Sequence, residues 1–197
     1  MKKMILYSLA ALFLYSCSGK TKQAEQAATI NDSTIEFFPV TSFLNGQMMA
    51  LDSSPVTVLR IVTIKGKSDS FWIKKETVPP LLEDFFTQEI NTTNLTRFFK
   101  ESKFNDQGLD AITFTYEPRP PLPDSISLKH WDVYVKLQTG KVKRVYMVRQ
   151  VKQGAEMFTL QLTWVTDKWA KIVTILNKPT GESELVKEEQ FVWGFGD

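Results

Sequence analysis

The rhythm of apolar and polar residues changes twice near the start of this chain. Residues 5–15 (Ile-Leu-Tyr-Ser-Leu-Ala-Ala-Leu-Phe-Leu-Tyr) are almost wholly apolar and follow the basic start Met1-Lys2-Lys3-Met4. Residues 18–34 read SGKTKQAEQAATINDST, small and polar, with Ile30 the one large apolar residue. Such a stretch buries too little surface to offset its ordering entropy, so it reads as a tether. Regular periodicities begin only at about residue 35.

Phe37, Val40, Phe43, Leu44, Gln47 and Met48 recur at three- and four-residue steps, the mark of one helix face, and Ser53-Ser54-Pro55 ends the pattern. Residues 56–64 (VTVLRIVTI) are β-branched and nearly continuous, as in a strand covered on both faces. Lys65-Gly66-Lys67-Ser68 turns that strand into a second one at 70–74. Thr77 then stands as an N-cap, with Pro79 in the first turn of a helix whose buried stripe is Leu81, Leu82, Phe85 and Phe86. A short further helix is expected at 93–100.

Ile112, Phe114 and Tyr116 share one strand face. Pro118-Arg119-Pro120-Pro121-Leu122-Pro123 follows as a loop, because four prolines in six residues leave few donors for a ladder. Trp131, Val133, Val135 and Leu137 then alternate with Asp132, Tyr134 and Lys136; a turn at Thr139-Gly140 leads to a strand at 142–148. Phe158, Leu160, Leu162 and Trp164 alternate with Thr159, Gln161 and Thr163, and strands at 169–176 and 185–195 complete the chain. Short connections make such neighbours antiparallel. The pattern predicts an α+β fold: a curved antiparallel sheet of about six to eight strands with two or three helices packed on one face. The expected organisation is a leader at 1–16, a tether at 17–34 and a single domain at 35–197, of ordinary size for one core.

The leader carries a resemblance. A basic start, a short apolar run and Leu14-Tyr15-Ser16-Cys17 resemble the signal peptide and lipobox of bacterial lipoproteins, in which the chain is cut before a cysteine that receives acyl chains. Lys2-Lys3 and Tyr15-Ser16-Cys17-Ser18 are similar to lipoproteins of Bacteroidota. The apolar run is shorter than the roughly twenty helical residues needed to span a bilayer. The resemblance implies a chain beginning at Cys17, held by lipid to the cell envelope, with the outer membrane favoured. The membrane is then its first partner, and 17 residues of coil give a reach of roughly 20–25 Å. Cys17 is the sole cysteine, so the domain gains no disulfide.

Charge and residue types narrow the chemistry. The chain has 24 basic and 22 acidic residues; loss of Lys2 and Lys3 leaves 22 of each. A neutral exported domain has no field for nucleic acid. His130 is the sole histidine and lies, by pattern, at a loop end before a strand. A zinc site wants several His or Cys ligands, and no cofactor is expected. Gly66-Lys67-Ser68 matches the tail of a phosphate-binding loop, but Ile61 stands where its first glycine belongs, so it reads as a hairpin turn. The acid pairs Glu83-Asp84 and Glu188-Glu189 point in different directions and make no two-carboxylate site by themselves.

The aromatic residues carry more. All five tryptophans fall on expected strands. Trp131 and Trp164 are in phase with aliphatic neighbours and read as core, whereas Trp72 and Trp193 are candidates for a ligand or partner surface, with Tyr134 and Tyr146 on the polar sheet face. The reading that follows is a non-catalytic envelope binding protein for another envelope protein, an apolar ligand or a glycan. Alternatives are a hydrolase using acidic residues and a scaffold subunit of an outer-membrane assembly. A cavity between helices and sheet lined by Phe and Trp would mark a carrier of apolar ligands.

Overall fold

The computed structural model describes residues 37–91, 94–106, 108 and 110–194. The expected leader, the tether and Cys17 lie outside the described residues. One helix opens the fold, α1 (Val40–Ser53), and buries Val40, Leu44 and Leu51 along one stripe. It begins three residues later than the periodicity of Phe37 allows, because Pro39 precedes its first turn. Phe37 packs into the core from the approach to the helix, 4.9 Å from the Tyr116 ring and 6.0 Å from that of Trp131. Ser54 ends the helix in extended conformation, and Pro55 keeps it ended.

Nine strands form a single open sheet: β1 (Val58–Ile64), β2 (Lys67–Ile73), β3 (Phe99–Asp106), β4 (Ala111–Pro118), β5 (Leu128–Lys136), β6 (Val142–Gln153), β7 (Glu156–Val165), β8 (Trp169–Asn177) and β9 (Ser183–Val192). Their order is β2-β1-β9-β8-β7-β6-β5-β4-β3, and every pairing is antiparallel. From β3 to β9 the chain is a plain meander. The crossover is β9, which returns to pair with β1 and places the amino-terminal hairpin at one edge.

Three expectations change here. The sheet has nine strands because residues 99–106 (FKESKFND) pair along their length with β4, where a helix at 93–100 was expected. Only a 3-10 turn, Thr96–Phe98, precedes that strand. An edge strand needs just one covered face, and here Phe99 alone is buried while Phe104, on the opposite face, is exposed. The helix after Thr77 shrinks to α2 (Val78–Leu81) between two 3-10 turns, since Pro79 and Pro80 remove two amide donors. Strand β1 is buried only at Val58, not on both faces. By contrast, the apolar terminal strand has no open edge, being paired on both sides.

The core lies between the helices and one face of the sheet. Trp131 stacks on Tyr116 with ring centroids 4.6 Å apart, and Phe99 meets it edge-on at 4.5 Å. Phe85 meets Trp164 edge-on at 5.4 Å. The helical segments are tied down by buried Arg149, whose guanidinium donates to the Asp84 carbonyl (2.8 Å), its carboxylate (2.9 Å) and Ser127 Oγ (3.1 Å).

Candidate functional site

The strand register assembles a polar cluster on the sheet face away from the helices. Asp132 on β5 stands opposite Thr115 on β4 and Tyr146 on β6, and Tyr134 stands opposite Arg144. Thr115 Oγ1 donates to Asp132 Oδ1 at 2.6 Å; His130 Nε2 and the Tyr134 hydroxyl donate to Oδ2 at 3.1 and 3.3 Å. The Arg144 guanidinium lies 3.8 Å from the Tyr134 ring centroid. Asp132 is only 8% exposed. Burial by itself would raise its carboxyl, but the hydrogen bonds from His130 and Thr115 outweigh that and hold it below the usual carboxylate value. The same His130–Asp132 bond raises the imidazole above its ordinary value against the opposing effect of burial. Burial, with the nearby carboxylate, pushes both tyrosine hydroxyls up. The result is a connected polar surface in which one carboxylate accepts from three donors and both tyrosine hydroxyls are held toward the protonated form.

Sequence patterning found Tyr134 and Tyr146 but not what joins them. It set His130 at a loop end; the strand begins at Leu128, so His130 sits within the ladder, opposite Val148. The missed signal is the alternation itself, since His130, Asp132 and Tyr134 are in phase.

The two other candidates fall elsewhere. Trp72 lies on the edge strand β2 and is 61% exposed. It shares a face with Tyr134, but the order of strands puts six inter-strand spacings between them, about 29 Å. Trp193 is 7% exposed and packs against Trp164 at 5.3 Å, so it belongs to the core and offers no surface to a ligand. Its position just past β9 turns the ring inward, where Trp193 N donates to the Lys168 carbonyl.

The space between helices and sheet is packed with the aromatic rings just described. A pocket of about 330 Å³ opens between α1 and the segment around Pro79 and Phe86, and a larger open volume lies farther along the sheet face. Val58, fully buried in the core, begins a stripe that continues through Arg60 and Val62 to Ile64, 49% exposed. Opposite it on β2 run Ile73, Phe71, Asp69 and Lys67. A groove of about 610 Å³ is lined there by Arg60, Val62, Ile64, Lys65, Lys67, Asp69 and Phe71. The Arg60 guanidinium lies between the Phe71 and Phe191 rings, 5.5 and 5.7 Å from their centroids, and pairs with Glu189. Burial raises the Glu189 carboxyl, but Arg60 and Lys187 more than reverse this. The groove closes at a tight turn in which Lys65 and Gly66 both take positive φ, 49° and 77°. Of its lining residues the sequence singled out only Lys65 and Lys67, as a hairpin turn, because an arginine inside a β-branched run reads as an ordinary strand position.

The acid pairs singled out by sequence do not converge. Asp84 binds Arg149; Glu188 pairs with Lys171, and Glu189 with Arg60 and Lys187 on the other face of β9. Among the described residues no helix is long and apolar enough to cross a membrane. Comparison with protein-family models, with curated proteins and with solved structures finds no match for this chain.

Proposed function

We propose that this chain is a non-catalytic binding protein of a bacterial cell envelope, anchored by acyl groups on Cys17 and holding an apolar ligand in the groove on β1 and β2. The observation that carries the reading is the stripe Val58-Arg60-Val62-Ile64: a core face that runs out from beneath the helices instead of ending with them. Exposed Ile64 and Phe71 lose water contact only if something covers them. The groove is open to solvent along its length and would cover one side of a small apolar molecule. The membrane anchor keeps such a site within reach of apolar compounds.

A second reading draws on β2 as an edge strand with six of its seven residues exposed. Its open backbone ladder suits an extended segment of another envelope protein, which would make the chain a scaffold subunit.

The test is purification of the full chain from bacterial membranes, followed by intact-mass analysis and mass spectrometry of solvent-extracted compounds. The expected result is a chain beginning at acylated Cys17 and an apolar compound that is absent from Val62→Asp protein. An unacylated chain overturns the anchor. An extract identical for wild type and variant overturns the groove.

A further inference from the structure

We infer that the groove selects a single-chain amphiphile with an anionic head, its tail over Ile64, Val62 and Phe71 and its head at Lys65 and Lys67. This rests on the groove reading above and adds the chemistry of the ligand. The geometry comes first. Arg60, Val62 and Ile64 on β1 and Lys67, Asp69 and Phe71 on β2 are alternate residues, so all six side chains stand on one sheet face. An occupant there meets side chains and leaves the backbone edge of β2 untouched. That favours a flexible chain molecule over an added strand.

The charges come second. The lining holds three cations, Arg60, Lys65 and Lys67, against one carboxylate, Asp69. The neighbouring strand adds Lys187 and Glu189, one of each sign, and Glu184, which feels the charge of Lys65 but is paired with Lys178, so the excess of two positive charges stands. Its distribution is uneven. Arg60, at the inner end, is matched by Glu189 and flanked by two phenylalanines, and its Nε is buried with no hydrogen-bond partner. Lys65 and Lys67 lie at the exposed tip, where neither forms an ion pair among the described residues. In the interval Val62 stands between Asp69 on β2 and Glu189 on β9, with Phe71 at the inner end and Ile64 toward the tip. From Arg60 to Ile64 is four strand steps, about 13 Å. A neutralised inner end, a run of Phe71, Val62 and Ile64 edged by Asp69, and two lysines at the mouth match a tail laid over the apolar side chains and a negative head that stays in water at the tip.

The experiment uses the full chain in uncharged nanodiscs, with dodecanoate, dodecyl phosphate, dodecanol and dodecyltrimethylammonium as ligands below their micellar concentrations. Binding is read by displacement of a fluorescent fatty acid. Expected is saturable binding of both anions, with dodecanol at least several-fold weaker and the cation weaker still. A Lys65→Asn/Lys67→Gln variant should lose about three- to tenfold in affinity for the anions and none for dodecanol, since two exposed charge contacts are worth that much. Both positions are exposed, and asparagine tolerates the positive φ of residue 65, so the fold is spared. Equal affinity for dodecanoate and dodecanol overturns the anionic selectivity while leaving an apolar groove in place. Absence of saturable binding by all four overturns the groove as well.

Discussion

The same chemical change, glycine to alanine, should move stability in opposite directions at two positions. At Gly194 an added Cβ would sit 2.4 Å from the Asp167 carbonyl oxygen and 2.8 Å from Lys168 Cα. Both are main-chain atoms, so relief requires moving backbone. That backbone is held: Trp193 N and Gly194 N each donate to the Lys168 carbonyl at 3.0 Å, and the Trp193 ring packs on Trp164. Overpacking of this kind costs about 1–3 kcal/mol, and partial withdrawal of a buried tryptophan takes Gly194→Ala to about 3 kcal/mol. At ~2–4 °C per kcal/mol for a domain of this size, Tm should fall by about 6–12 °C. At Gly46, exposed on α1, an added Cβ meets nothing within 4 Å. Helix propensity then dominates, and Gly46→Ala should gain about 0.5–1 kcal/mol. Urea titration followed by circular dichroism measures both. Equal signs for the two variants, or a Gly194→Ala change below about 0.5 kcal/mol, would refute the argument that the backbone at Gly194 is clamped against the Asp167–Lys168 turn.

Two further outcomes follow from the polar contacts. His130 is the sole histidine, so its imidazole gives one assignable NMR titration, expected above the usual value of about 6.5 and lowered in Asp132→Asn. A raised imidazole stabilises the fold below pH ~6.5 and loses that effect as pH rises through the folded value; a lowered Asp132 stabilises above pH ~4 and loses it as pH falls through its own. The pair therefore contributes most between about pH 4 and 6.5, and a midpoint at or below 6.5 would contradict the geometry. Arg149→Met should cost about 2–4 kcal/mol by urea midpoint, because it strands the Asp84 and Ser127 acceptors where the helical segments meet the sheet; a loss under 1 kcal/mol would show that packing alone holds them.

Much of the architecture could be read along the chain. Strict alternation marks β5 and β7, and a 3.6-residue stripe marks α1, because each periodicity records which side chains meet a core. Trp131 and Trp164 were legible as core for the same reason, and both are fully buried. β3 was not legible, since an edge strand with one buried phenylalanine, Phe99, carries almost no pattern and acquires its conformation from the ladder with β4. Trp193 had no readable direction either, because its burial depends on the turn between β7 and β8 that it packs beside.

The site divides along the same line. Residue types alone restricted the chemistry, since one histidine and one cysteine leave few reactions open, and the composition of the first seventeen residues suggested an anchor. Which side chains stand together was decided by non-local pairing. Asp132 reaches Thr115 and Tyr146 only through the registers of β4 and β6, and Arg60 reaches Glu189 across 129 residues of chain. Local periodicity states that a side chain faces in or out. It does not state where the helices stop covering the sheet, and the groove exists because they stop before Ile64.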